Sequence, residues 1–187
     1  NNNDVGQAIS IYDMGAYKLA VINICGTVYM DNTSNAFECA DLLLDKVNEI
    51  GAKMKEQGKQ LCYHNHAFEM EEIEGKIQIE YMLENTDPDL VFYQIDVYWA
   101  VYGHYSPADL FNKYPGRFAL LHIKDKKEIG QSGMVGFDAV FGNAEVAGLE
   151  GYVVEVEGCR NEAALEGIRV SAEYLLNAPF VKASYGK

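Results

Sequence analysis

With 187 residues, 49% of them hydrophobic and 23% charged, the chain has the composition of an ordinary globular domain that can bury a core without disulfide help. A formal net charge of −13 argues against a phosphate-backbone partner, and no basic patch offsets it, since Lys124, Lys126 and Lys127 run straight into Glu128. No apolar run reaches membrane-spanning length and no signal peptide is visible, although the first residue is not Met and a targeting segment upstream stays open. Cys25, Cys39, Cys62 and Cys159 lack CxxC spacing and read as reduced, mostly buried thiols. These features point to one cytoplasmic domain over residues 1–187, without nucleic-acid or membrane partners.

Taken in chain order, short apolar runs alternate with stretches of helical period. The runs are KLAVINIC (18–25), QLCYHNH (60–66), LVFYQIDVYW (90–99), FALLHIKD (118–125) and GYVVEVE (151–157). Their brevity and β-rich content suit strands buried on both faces. Between the first two, Asn35 and Glu38 form a capping-box pattern. Phe37, Ala40, Leu44, Val47 and Met54 fall at helical spacing, and Gly58 marks the stop. SPADLF predicts a helix with Ser106 as cap and Pro107 in its first position, ended by Pro115-Gly116. Further helices are predicted over 137–147 and about 162–176. Strand-helix repetition predicts a parallel α/β sheet with right-handed crossovers. No GxGxxG follows a strand, and GQSGMVG (130–136) lacks the lysine of a phosphate loop.

Side chains alternate across a strand, so residues of one parity share a face. His64 and His66 share one, as do Gln94, Asp96 and Tyr98, then His122 and Lys124, then Glu155 and Glu157. Ionisable groups therefore recur at the C-terminal ends of four successive strands. A buried imidazole or carboxylate is costly unless paired or metal-bound. A shared site at the mouth of a parallel barrel explains four of them together. His, Asp, His and Glu form a mixed nitrogen and oxygen set suited to a divalent metal such as Mn²⁺, Co²⁺, Fe²⁺ or Zn²⁺, with Mg²⁺ a further candidate.

The runs YHNHAFEM, DVYWAVYG, KYPGRFALLHIKD and YVVEVEG, with SAEYL near the end, resemble the sugar phosphate isomerase/epimerase family of the xylose-isomerase-like barrel superfamily. The resemblance implies a TIM-type (β/α)8 barrel with one divalent metal at the strand C-termini and a carbohydrate as substrate. By position it implies Asp96, His122 and Glu155 as metal ligands. His64 is the fourth, although it stands where many relatives carry an acid. Relatives that epimerise use two metal-bound glutamates as acid and base, so the histidine bears on which reaction is run.

The five strands resemble strands four to eight of such a barrel, with AISIYDMGAYKLAVINIC as the end of helix three entering strand four. The first three βα units, on the order of 90 residues, have no counterpart. The chain therefore reads as the C-terminal portion of a barrel, or as one copy of a homo-oligomer that completes it.

Three readings follow. In the first, a metal polarises the carbonyl of a sugar or sugar phosphate, and Glu155 or His66 moves a proton through an enediolate, giving isomerisation or epimerisation. In the second, the same chemistry expels a leaving group from a keto-sugar or keto-glycoside, as a lyase or dehydratase. In the third, the chain is an inactive or sugar-binding relative. Lys124 either assists at the carbonyl or pairs with an acid. Trp99 and Tyr98 line a sugar ring or pack in the core, with Asn65 and Glu157 as further substrate contacts. Glu69 either orients a histidine or is solvated. Glu71, Glu72 and Glu74 read as a solvated loop, and His104 as solvent-facing.

Overall fold

The computed structural model describes residues 9–13, 18–22, 36–158 and 163–185. They fall into two compact units, residues 1–37 and 38–187.

In the first unit, β1 (Ile9–Asp13) pairs antiparallel with β2 (Lys18–Ile22), Ile9 opposite Ile22 and Asp13 opposite Lys18. This corrects the reading of residues 9–13 as the end of a helix. ISIYD and KLAVI are both β-branched and aromatic enough to form strands, and the four residues between them suffice for a hairpin connection. Asn35, the predicted cap of α1, lies outside the described residues.

The second unit holds a four-stranded parallel sheet in the order β3-β6-β7-β8. Helix α1 (Ala36–Glu56) is stopped at Gly58, which adopts φ 67, a conformation glycine takes without a Cβ clash. Then come β3 (Leu61–His64), a 3₁₀ turn at Phe68–Met70, and the small hairpin of β4 (Glu72–Ile73) and β5 (Lys76–Ile77). Helix α2 (Gln78–Glu84) leads into β6 (Val91–Asp96). Helix α3 (Val97–Tyr102) follows β6 without a loop. After α4 (Pro107–Lys113) and β7 (Leu120–Lys124), the segment predicted as one helix over 137–147 is two, α5 (Phe137–Gly142) and α6 (Ala144–Ala147), parted at Asn143. Strand β8 (Gly151–Glu155) and α7 (Ala164–Asn177) end the described fold. Among the described residues no helix is long and apolar enough to cross a membrane.

Alternation within the strands decides what the sheet does with each face. Val91, Tyr93 and Ile95 of β6 and Leu121 and Ile123 of β7 are all buried, packed with Ile79 and Leu83 of α2, Leu110 and Phe111 of α4, and Phe137, Val140 and Phe141 of α5. Each such side chain contributes about 1.5–3 kcal/mol. The other parity carries His64, Gln94, Asp96, His122, Lys124 and Glu155 on one face. His64 pairs with Gln94, Asp96 with His122, and Lys124 with Glu155 in parallel register.

Close backbone approach fixes the loop after β3. At Gly103, which ends α3, a Cβ would stand 2.7 Å from the Cβ of Met70 and 2.9 Å from the carbonyl oxygen of Ala67. Neither neighbour is the free end of a side chain. Gly103→Ala is therefore expected to lower stability by about 1–3 kcal/mol, read as a lower urea midpoint with unchanged m.

Candidate active site

Asp96 is the last residue of β6 and the N-cap of α3. Its Oδ1 accepts from the Trp99 backbone N–H at 2.9 Å, which starts the helix at once. That cap ends the strand three residues before the predicted Trp99. Tyr98, read from parity as a strand neighbour of Asp96, is consequently on the helix, 8% exposed and part of the core. Trp99 is half-buried and faces the site, with its ring 5.9 Å from that of His66 and 5.8 Å from Lys124 Nζ.

Asp96 is fully buried, and its Oδ2 lies 2.9 Å from His122 Nδ1. The far nitrogen of His122, Nε2, is 3.5 Å from Glu155 Oε2. The His64 ring lies edge-on to that of His122, centroids 4.7 Å apart. His64, Asp96 and His122 each offer one ligand atom, and these atoms lie within 4.8 Å of one another. His64 Nδ1 is buried and has no hydrogen-bond partner among the described residues. A buried ring nitrogen without a partner is unfavourable in an otherwise satisfied interior. Its lone pair suits a cation held between the strands.

Burial first, and then the neighbouring His122, push the His64 imidazole below its ordinary value near 6.5, against the opposing pull of Asp96 and Glu155. The unfolded chain takes up this proton below about pH 6.5 while the folded chain resists it, so the associated stability is present above that pH and is lost as pH falls. In chelator-treated protein the melting temperature should drop between about pH 7 and about pH 5, and His64→Gln should flatten part of that slope. Equal slopes would show that His64 carries no such linkage.

Lys124 is 2% exposed, with Glu155 Oε1 at 3.2 Å and Glu157 Oε2 at 2.5 Å. Burial alone would lower its pKa, but the hydrogen bonds it donates to Glu157 and Glu155 outweigh that and the net shift is upward. The ammonium form therefore persists through neutral pH. Glu157 lies beyond the end of β8 and is exposed, so its place beside Lys124 comes from the loop rather than from strand parity.

The HNH stretch divides its labour. His64 ends β3, whereas His66 is in the loop, exposed, with its ring 5.1 Å from that of His64 and stacked on Phe68. Asn65, expected to touch substrate, is 1% exposed and uses its amide on the backbone. Its Oδ1 accepts from Asp96 N–H at 2.8 Å, and its Nδ2 donates to the His66 carbonyl at 3.2 Å. It ties the end of β3 to the end of β6. Glu69 is 2% exposed, accepting from Tyr63 Oη at 2.7 Å and from His66 N–H at 2.8 Å. Asp125, which the sequence reading passed over, is buried and accepts from the backbone of Lys126, Gly130 and Ser132 and from the Ser132 hydroxyl. A buried acid directly after HIK, followed by the polar GQSG loop, is the signal that marks it.

The sequence pattern of the xylose isomerase-like TIM barrel family matches residues 12–177. The chain belongs to that family. Among curated relatives of this xylose isomerase-like chain, the inosose dehydratase of Geobacillus kaustophilus (strain HTA426) is 29% identical over 124 residues, 62% of this chain and 40% of the relative. The inosose dehydratase of Clostridium beijerinckii is 30% identical over 84 residues, 45% of this chain and 28% of the relative. Two solved sugar phosphate isomerase/epimerase structures from Parabacteroides distasonis ATCC 8503 are similar. One is 41% identical with a TM-score of 0.74, covering 78% of this chain and 54% of its own. The other is 34% identical with a TM-score of 0.71, covering 78% and 56%. The chain thus spans about half the length of these structures and 40% or less of the two dehydratases.

Proposed function

We propose that this chain carries the metal-binding and proton-transfer part of a dehydratase acting on a cyclic polyhydroxy ketone such as an inosose or a keto-sugar. The observation that carries the reading is the unlike pair Glu155 and Lys124, 3.2 Å apart beside His122. Elimination needs one base and one acid, not two equivalent carboxylates.

His64, Asp96, His122 and Glu155 would hold one divalent ion. The unpartnered His64 Nδ1 and the mixed imidazole and carboxylate donors fit it. Such an ion supplies a Lewis acid that makes the C–H next to a carbonyl more acidic. Glu155 takes that proton through Oε1, the oxygen turned to Lys124, while Oε2 faces His122. Lys124 enters as ammonium and passes a proton to the departing hydroxyl, which leaves as water. The short Lys124–Glu155 contact then returns the proton from acid to amine. Glu157 holds Lys124 in place, and the Trp99 indole forms a wall for the apolar face of the ring.

The isomerase or epimerase reading keeps one specific support. The exposed His66 imidazole, its ring 5.1 Å from that of His64, offers a second proton carrier. Product mass separates the two. Incubation with an inosose or a keto-sugar and a divalent metal is expected to yield a product lighter by one water, with the absorbance of a conjugated ketone. Glu155→Gln and Lys124→Met should each remove it. A product of unchanged mass would establish the isomerase reading. Absence of turnover together with an unchanged melting temperature on adding metal or chelator would leave a non-catalytic, sugar-binding relative.

A further inference from the structure

The metal reading above rests on where the donors lie; their chemistry says more. We infer that the His64 imidazole makes this a site for a borderline, nitrogen-seeking ion of the Zn²⁺, Co²⁺ or Fe²⁺ class and selects against Mg²⁺ and Mn²⁺. The inference depends on the proposed metal site and sharpens it.

Two of the three converging groups, His64 and His122, are imidazoles on neighbouring parts of one sheet face, and Asp96 is the only carboxylate among the three. Glu155 adjoins His122 and brings a second. Two neutral nitrogens with two carboxylates balance a dication without surplus negative charge. Mg²⁺ and Mn²⁺ favour oxygen donors, and Mg²⁺ in particular dehydrates reluctantly. Imidazole favours the later first-row ions, and affinity for a given site rises from Mn²⁺ through Fe²⁺ and Co²⁺. A carboxylate at residue 64 would give three acids and one imidazole, a set that tolerates the harder ions far better.

The donors are also prearranged. Asp96 is fixed through both oxygens, Oδ1 on the Trp99 amide and Oδ2 on His122. The His64 ring lies edge-on to those of His66 and His122, 5.1 and 4.7 Å between centroids, and its buried Nδ1 has no hydrogen-bond partner among the described residues. Among the described residues no carboxylate hydrogen-bonds that nitrogen, which leaves it available to a cation.

The test is competition binding of Zn²⁺, Co²⁺, Mn²⁺ and Mg²⁺ to chelator-treated protein against a chromophoric chelator, with no substrate present. Histidine NMR signals are followed on adding Zn²⁺ and then Mg²⁺. The expected result is a preference for Zn²⁺ and Co²⁺ over Mn²⁺ and Mg²⁺ of more than about tenfold. Shifted ring signals for His64 and His122 should appear with Zn²⁺ and not with Mg²⁺. His64→Glu should narrow the preference by about tenfold or more, from weaker Zn²⁺ and stronger Mn²⁺ binding. His64→Gln, which keeps the size but not the imidazole, covers the case in which the glutamate variant fails to fold, and should weaken Zn²⁺ alone. Equal affinity for Mn²⁺ and Zn²⁺, or a preference that both variants leave unchanged, overturns the inference while the metal site stands. Failure of every ion to bind overturns both.

Discussion

Asp96→Asn should abolish turnover while leaving the fold intact, and the contrast is the informative part. The amide keeps an oxygen for the Trp99 backbone N–H, so the cap of α3 survives; Asp96→Ala would lose it at a cost of about 1 kcal/mol. What the amide cannot supply is the charge and the acceptor at 2.9 Å from His122 Nδ1. Loss of either a ligand or the partner that orients one lowers metal affinity by about 10–100-fold or more. The expected pattern is a melting temperature close to that of the parent, weak metal binding in the titration described above, and turnover below detection. A variant that binds metal and turns over like the parent would reduce Asp96 to a helix cap.

Arg117→Ala is expected to have the largest effect on stability, on the order of 3 kcal/mol. The guanidinium is 9% exposed and donates to the Leu83 carbonyl, to the Thr86 carbonyl and hydroxyl, and to the Val91 carbonyl, lying 5.5 Å from the Tyr93 ring centre. These acceptors belong to the end of α2, the start of β6 and the turn between them. One planar group therefore satisfies three backbone oxygens that alanine would leave without this donor. Burial lowers the Arg117 pKa, yet the group stays charged across the working range. Arg117→Lys retains the charge but not the fan of donors, and should recover only part of the loss. Urea midpoints of the two variants against the parent give the measurement. An unchanged midpoint for the alanine variant would mean that water takes over all of these contacts.

Much of the candidate site's placement is legible from strand parity because its residues lie at strand ends. His64, Asp96, His122, Lys124 and Glu155 share a face for the same reason that residues two apart always do, and parallel register lines them up across the sheet. Parity stopped working where the strands stopped. Asp96 caps a helix immediately, so Tyr98 went to the core instead of the site. The Glu157 and His66 positions are set by loops, for which the sequence carries no period. For Glu69 the sequence leaves two readings open, orienting a histidine or solvated; it is buried while Glu71, Glu72 and Glu74 are exposed, because the Tyr63 hydroxyl and the His66 N–H converge on it. The hairpin of β1 and β2 was missed for a different reason. ISIYD is a short alternating run, and in the sequence it competes with the expectation of a helix before a strand.

Trp99 is the chain's one tryptophan, and its indole stands 5.9 Å from the His66 ring, 5.8 Å from Lys124 Nζ and 5.5 Å from the Tyr102 ring. The protein thus carries an intrinsic fluorophore beside its polar centre, with no second indole elsewhere to dilute the signal. An imidazolium or an ammonium near an excited indole quenches its emission, and a sugar ring laid against it excludes water and shifts the band to the blue. Emission from the unlabelled chain should therefore report occupancy of the site in real time, before any substrate is turned over.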